Sequence, residues 1–330
     1  MIAPGPQVTV VIPNWNGLAW LDPCLNSLAA GELVPAEVIV VDNGSTDGSR
    51  EYLSAERPEV RVIPLRWNTG FAHAANQGLA AASHELVALV NSDVIVTADW
   101  LARMASVLAG EPRAASVACK MLSLEDPGIV YDAGDVLRRD GVCEQRGRFG
   151  VDDGRWDDPG PVFGACAGAA LYRREIVLAL GGFDERYFAY LEDVDLALRL
   201  RLAGWSCRYE PAVVMHAGGA SSDHLAGGHA ALVTRNTVLL IAKAFPLAWL
   251  PYVAYRQLAW SWHAARERRL RPHLRALWSS LPLLPSAVAA RGAMKRDARV
   301  QIEAVVPRAP FRGARALGHP SGHAQGSAGR

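Results

Sequence analysis

The chain is 330 residues long and half of them are hydrophobic, enough to fill the core of one large α/β domain with an appendage. Its net charge of +1 argues against nucleic-acid binding by the chain as a whole. That average hides an asymmetry: residues 260–330 hold 13 Lys and Arg against 3 Asp and Glu, a balance of +10, while residues 1–259 hold 21 against 30, a balance of −9, so an acidic domain is joined to a basic tail that suits a different partner.

Residues 1–8 have neither a basic n-region nor an apolar h-region, so no secretory signal is expected there. A strand is predicted over 8–13 and a helix over 18–30, with Leu18, Leu21, Leu25 and Leu28 at helical spacing. The run 37–42 is nearly all apolar and reads as a strand buried on both faces. A helix over 46–57, a strand over 60–65, an alanine-rich helix over 71–82, a strand over 85–91 and a helix over 100–108 follow. This alternation predicts a parallel sheet with helices on both faces. Residues 123–162 are rich in Gly, Asp and Pro and read as a loop segment, partly mobile. A small-residue strand pattern covers 162–173, a helix covers 191–203 and stops at Gly204, and short strands cover 207–209 and 212–215.

The texture then changes. Residues 237–255 are mostly apolar, but Lys243, Pro246 and Pro251 interrupt them. A lysine at the centre of a span costs roughly 2.5–3.5 kcal/mol on insertion scales, which favours a helix lying in a membrane interface over one that crosses. In residues 260–284, Trp260, Trp262 and Trp278 stand among Arg266, Arg268, Arg269, Arg271 and Arg275, a mixture that suits an anionic bilayer surface. The plainer alternative is a helical hairpin packed on the main domain. From residue 307 onward the composition predicts disorder. The expected division is a main domain over 1–230, a helical, basic and aromatic membrane-associating extension over 231–306, and a disordered tail over 307–330. The five cysteines, Cys24, Cys119, Cys143, Cys166 and Cys207, are odd in number and form no C-x-x-C pair, which argues against a zinc site or disulfide framework and fits a reducing compartment.

In parallel sheets, ligands bind beyond the carboxyl ends of the strands. Three strands end there in polar residues: Pro13-Asn14-Trp15-Asn16-Gly17, Asp42-Asn43-Gly44-Ser45-Thr46-Asp47 and Asn91-Ser92-Asp93. Turn and cap chemistry explains any one of these clusters, but three on one sheet edge point to a site. Asp93 follows a buried strand, where a ligand for a hard cation could be held rigidly. Glu192, Asp193 and Asp195 open a helix. Dipole stabilisation accounts for Asp195, and less well for Glu192 and Asp193, which directly follow the aromatic segment Phe188-Ala189-Tyr190-Leu191. His216 ends an apolar run beside Ala217-Gly218-Gly219, where an imidazole has room to reach a ligand.

These blocks, taken in order, resemble family 2 glycosyltransferases of the GT-A fold, and within them the rhamnosyltransferase-like branch. The resemblance is carried by residues 10–17 and 38–49, by Asn68-Thr69-Gly70-Phe71-Ala72 through Asn76 and Gly78 to Asn91-Ser92-Asp93, and by a third block. That block comprises residues 168–174, Gly181-Gly182-Phe183-Asp184-Glu185, Glu192-Asp193-Val194-Asp195-Leu196, Arg199, Gly204-Trp205 and His216. It covers roughly residues 8–222 and implies a GT-A domain with a helical, membrane-associating extension. It implies inverting transfer of a sugar from a nucleotide-diphosphate donor by single displacement, without a covalent nucleophile. The first expectation for the donor is dTDP-rhamnose, and for the acceptor a glycan or polyprenyl-linked saccharide of the cell envelope. By the same resemblance Asp42 would contact the base, with the backbone at Pro13 and with Asn14, Asn16, Asn68, Gly70, Asn91 and Ser92 around the donor. Asp93 would bind Mg²⁺ or Mn²⁺ as the last acidic position of the family's D-x-D motif, with His216 as a further ligand. Here Asn91 replaces the first Asp, leaving one carboxylate fewer. Asp193 would be the catalytic base, ionised at a helix start, with Glu192 and Trp205 positioning the acceptor and the 123–162 segment near it. The expected location is cytoplasmic, peripheral on the inner face of the cell membrane. Two other readings compete. A dinucleotide-dependent oxidoreductase should show G-x-G-x-x-G after its first strand and a sugar nucleotidyltransferase a Gly-rich basic loop, and neither is present. A catalytically silent binding or scaffold protein would have no need of Asp93, Asp193 and His216 together.

Overall fold

The structure is a computed structural model and describes residues 5–218 and 228–307. Its first part follows the expected alternation. Strands β1 (Val8–Asn14), β2 (Glu37–Asp42), β3 (Arg61–Pro64) and β4 (Leu86–Val90) alternate with helices α1 (Leu18–Ala29), α2 (Ser49–Glu56) and α3 (Phe71–Ala81). The strands pair in parallel in the order β4-β1-β2-β3. Every residue of β4 is buried, as a strand covered on both faces requires. Period-two alternation divides β1 between two layers: Val10 and Ile12 join Leu21, Leu25 and Leu28 of α1 in one core cluster, and Val11 joins Ala72, Ala75 and Leu79 of α3 in another.

The second part makes the sheet mixed. β5 (Val94–Val96), α4 (Trp100–Gly110), β6 (Ala114–Ser123), β7 (Val130–Asp132), β8 (Asp135–Leu137), β9 (Cys143–Gln145), β10 (Gly160–Val162), β11 (Ala169–Arg173), α5 (Arg174–Ala179), α6 (Glu192–Leu202) and β12 (Ser206–His216) follow in order. β11 lies antiparallel between β4 and β6, and β12 runs parallel to β6. The pattern read as one strand over 162–173 is two strands with a loop between, because the chain at Gly164 presses on α6: a Cβ there would lie 2.5 Å from Ala197 Cβ. Residues 123–162, expected as a partly mobile loop, are instead tied down. β8 and β9 form a hairpin, and the buried Lys120 ion-pairs with Asp152 at 2.7 Å and Asp157 at 2.6 Å.

Helices α7 (Gly228–Ala244), α8 (Leu250–Arg266), α9 (Leu270–Ser280), α10 (Leu284–Asp297) and α11 (Ile302–Val305) complete the chain. Leu239, Leu240 and Phe245 share a core cluster with Leu191, Val194, Leu198 and Leu202 of the α6 region, so the extension is packed on the main domain. The apolar stretch 237–255 is not one interfacial helix. It breaks after Ala244, at Pro246, and Lys243 points inward, 2.7 Å from both Asp184 and Asp195. Among the described residues no helix is long and apolar enough to cross a membrane. Tyr255, Leu258 and Trp262 of α8 and Leu274 and Trp278 of α9 are exposed. The tail expected to be disordered, from 308 on, lies outside the described residues.

Candidate active site

The ends of β1, β2 and β4 meet at one edge of the sheet. Asn14 at the end of β1 donates from Nδ2 to Asp42 Oδ1 and to Ser45 Oγ, each at 3.3 Å, while its own Oδ1 is buried without a partner. Gly17 lets β1 and β4 approach: a Cβ there would lie 2.4 Å from Asn14 Oδ1 and 2.6 Å from Ser92 Oγ. Asp42 is fully buried and is held by an ion pair to Arg50 of α2 and by the Ser45 amide. Asn16 accepts from the Thr46 amide at 2.8 Å, and Asn68 accepts from Asn43 Nδ2 and from the Gly70 amide. The Asn14, Asn16, Asp42, Asn68 and Gly70 positions are therefore stitched into one wall, with Pro13 alongside in register with Val41.

Asp93 and His216 converge. β12 pairs antiparallel with β5, setting His216 against Val94. This places His216 Nε2 3.4 Å from Asp93 Oδ1 with both side chains buried. Two ligands of one octahedral ion with bonds of about 2.1 Å stand roughly 3 Å apart, so the pair fits a single small divalent cation. The Tyr131 ring lies against the imidazole, tilted by 51° with 4.5 Å between ring centres, and Arg148 lies over Tyr131. Among the described residues no third His, Cys, Asp or Glu completes a metal cluster, which leaves the remaining positions to ligand oxygens or water.

Asp193 lies in the first turn of α6. Its Oδ2 accepts from the Ala167 amide at 3.2 Å and its Oδ1 from the Val194 amide at 2.8 Å. The next peptide along, at Gly168, accepts from the Asn91 amide at 2.8 Å. Residues 167–168 thus fasten the Asp193 carboxylate on one side and Asn91-Ser92-Asp93 on the other. The helix start is not the dominant influence on Asp193: burial raises its pKa above the usual carboxylate range, partly offset by the two amides. Burial and the Asp193 charge hold Glu192 well above that range. Just before α6, Phe188, Tyr190 and Leu191 have φ of 64°, 71° and 68°. Such conformations cost about 1–3 kcal/mol each and persist only where surroundings impose them.

A family model described as glycosyl transferase family 2 matches residues 9–181. The chain belongs to glycosyl transferase family 2. It is an enzyme of that class, a glycosyltransferase. It is 29% identical over 271 residues to the N-acetylglucosaminyl-diphospho-decaprenol L-rhamnosyltransferase of Mycobacterium tuberculosis, covering 73% of this chain and 87% of that protein. Among solved structures, the mannosyltransferase PcManGT of Pyrobaculum calidifontis, in complex with GDP-Man and Mn²⁺, superposes with a TM-score of 0.54 at 20% identity, over 89% of this chain and 86% of that one. GalNAc-T7 with UDP, GalNAc and Mn²⁺ superposes at 0.60 with 15% identity, over 75% of this chain and 49% of that one. These likenesses establish the GT-A fold.

In this glycosyltransferase Trp205 does not join the site. It follows the C-terminal end of α6, whose 11 residues span ~16 Å, and it packs against the sheet core. Two buried carboxylates beside Asp193 escaped sequence reasoning. Asp132 and Asp135 are buried, each with an unpartnered Oδ2. Burial, with the Asp193 charge contributing, pushes Asp132 up to about 7 and Asp135 well above the ordinary value. Their signal in the sequence, Asp132-Ala133-Gly134-Asp135, is that of an ordinary turn.

Proposed function

We propose that this glycosyltransferase transfers a sugar, with inversion and with a divalent cation, from a nucleotide-diphosphate donor to a lipid-linked saccharide, and that the donor is dTDP-rhamnose. The observation that carries the reading is the placement of Asp193 on one side of residues 167–168 and Asn91-Ser92-Asp93 with His216 on the other. This arrangement supports a base and a diphosphate-binding edge held by the same two residues, 167 and 168. The name of the mycobacterial relative supports rhamnose and a polyprenyl diphosphate acceptor. Asp42 and Asn14 would hold the nucleotide, with Asn16, Asn68 and Gly70 shaping its wall. Asp93 and His216 would hold Mg²⁺ or Mn²⁺, which when bound supplies positive charge to the departing diphosphate. Asp193 takes the proton from the acceptor hydroxyl as that oxygen attacks the anomeric carbon and the diphosphate leaves. Glu192, Asp132 and Asp135, with oxygens unpartnered in the free protein, would receive acceptor hydroxyls. A panel of dTDP, UDP and GDP sugars, read by nucleotide release with a synthetic polyprenyl diphosphate N-acetylglucosamine, tests the reading. Turnover is expected with dTDP-rhamnose; turnover confined to another donor overturns that assignment. No turnover or donor hydrolysis with any donor would favour a silent fold.

The extension is the membrane-facing part of this reading. Tyr255, Leu258 and Trp262 lie on one stripe of α8, Leu274 and Trp278 on one stripe of α9, and Arg266, Arg268, Arg269, Arg271 and Arg275 are exposed around them. An exposed apolar stripe edged by arginines suits an anionic bilayer surface, such as the inner face of the cell membrane, where a lipid-linked acceptor resides. The full chain should sediment with vesicles of equal parts phosphatidylcholine and phosphatidylglycerol and not with phosphatidylcholine alone. Trp262→Ser with Trp278→Ser should weaken that binding; unchanged sedimentation would remove the surface from this face.

A further inference from the structure

Helix α7 does more than cover α6. Asn236 is fully buried, and its Nδ2 donates to the carbonyls of Tyr187, Ala189 and Tyr190 at 3.0, 2.8 and 2.6 Å. Its Oδ1 is held by Arg235 Nε at 2.9 Å, and Arg235 Nη2 reaches the carbonyls of Arg186 and Tyr187. The carbonyls so gathered belong to the segment whose Phe188, Tyr190 and Leu191 adopt positive φ. One turn further along α7 than Thr237–Leu240, Lys243 ion-pairs with Asp195 in the first turn of α6 and with Asp184. On its other side the segment meets the donor wall: Phe188 O accepts from the Ala72 amide at 3.1 Å, and a Cβ on Gly70 would lie 2.5 Å from that same oxygen.

We propose that Asn236 is a positioning residue for catalysis, clamping the strained 187–191 segment so that α6 starts where Asp193 faces the acceptor. Tyr187 O keeps Arg235 Nη2 and the Ala189 amide as donors, so the loss of Asn236 falls on the carbonyls of Ala189 and Tyr190; taking a donor from a buried carbonyl is strongly disfavoured, and three non-glycine residues at positive φ have no local reason to stay there. Without the amide of Asn236 the segment relaxes, and the start of α6 moves with it. The extension is therefore part of the catalytic apparatus. The clamp lies at residue 236, beyond residues 9–181 that the family model matches. A group displaced by about 1 Å from its working position can lose ~10²-fold in rate.

The inference rests on Asp193 as base, and the test separates the two. Asn236→Ser and Asn236→Leu are compared with wild type and with Met294→Ala, which removes packing from the same cluster without touching these carbonyls. Amide hydrogen exchange on the full chain should quicken in peptides covering 186–195 in both Asn236 variants, and stay at wild-type levels in β1 and β4. With the donor that the wild type turns over, kcat per folded molecule should fall ~10²-fold, while the affinity for dTDP, or UDP where the wild type prefers it, with Mn²⁺ is retained. Met294→Ala should lower the melting temperature and keep both exchange at 186–195 and kcat. The clamp is overturned if Asn236→Ser exchanges and turns over as wild type does, or if Met294→Ala loses as much kcat. Full transfer by Asp193→Asn would instead remove the base assignment and leave the exchange result standing.

Discussion

Asp193→Asn is expected to lower sugar transfer ~10²–10⁴-fold, the range that a positioned general base contributes, while donor affinity is retained. Asparagine preserves the shape of the side chain, and its remaining oxygen can accept one of the two amides, from Ala167 or Val194, that the carboxylate accepts now. What it lacks is a site for the acceptor proton. Asp42, Asn14, Asp93 and His216 are untouched, so a titration with nucleoside diphosphate and Mn²⁺ should give the wild-type affinity. Glu192→Gln should raise the KM for acceptor more than it lowers kcat, since Glu192 is buried with a free Oε2 and the Asp193 charge favours its protonated form. Transfer by Asp193→Asn within a few-fold of wild type at saturating acceptor would pass the role of base to Glu192.

The pH profile carries the same argument. Asp193 must be ionised to accept a proton, and burial raises its pKa, partly offset by the amides of Ala167 and Val194. The active form is therefore present above that raised value and lost as pH falls through it. The acid limb of kcat against pH should stand above the ~3.9 of an ordinary aspartate.

How much of this was legible in the sequence depends on how local the cause is. Strands such as β2 and β4 are apolar because both faces are covered, and that reads directly from Val38-Ile39-Val40-Val41 and Leu86-Val87-Ala88-Leu89-Val90. The polar residues at and just after their ends follow from the topology of a parallel sheet, which is why Asp42 and Asp93 could be singled out beforehand, whereas Asp193 stood out as a carboxylate opening a helix after an aromatic segment, its role coming from the family resemblance. Lys243 was misread because a hydropathy argument sees a charge in an apolar run and not its partners, Asp195 and Asp184, which are 48 and 59 residues away in sequence. Trp205 was given an acceptor role by resemblance alone, and a motif match does not say that it follows the end of α6 away from Asp193 and packs on the sheet core. Asp132 and Asp135 were passed over because Asp-x-Gly-Asp is also what an exposed turn looks like, and their burial is created by α6 and residues 164–168. The Asn236 clamp had no local signal: a polar residue in a mostly apolar helix gains meaning only from the three carbonyls set against it.

Removal of divalent cations is expected to abolish transfer, with recovery on adding Mn²⁺ or Mg²⁺, and Asp93→Asn and His216→Ala should separate the two protein ligands. Asn91 stands where a second carboxylate would be, so the protein brings one carboxylate and one imidazole, 3.4 Å apart and both buried. With so few donors, each should matter. A cation at a departing phosphoryl oxygen is worth several kcal/mol, and each ~1.4 kcal/mol is tenfold in rate, so Asp93→Asn should lose ~10²-fold or more. His216→Ala removes the imidazole and leaves the Asp93 carboxylate. Its loss should appear first as weaker Mn²⁺ affinity in the presence of nucleotide, and raising Mn²⁺ should restore part of the rate. Asp193→Asn, whose defect is a missing proton acceptor, should gain nothing from added Mn²⁺. This difference distinguishes a metal ligand from a base whatever the donor proves to be. A chelated enzyme that transfers sugar at the full rate, or His216→Ala with the wild-type Mn²⁺ dependence, would leave Asp93 and His216 as a buried polar contact beside Tyr131 and nothing more.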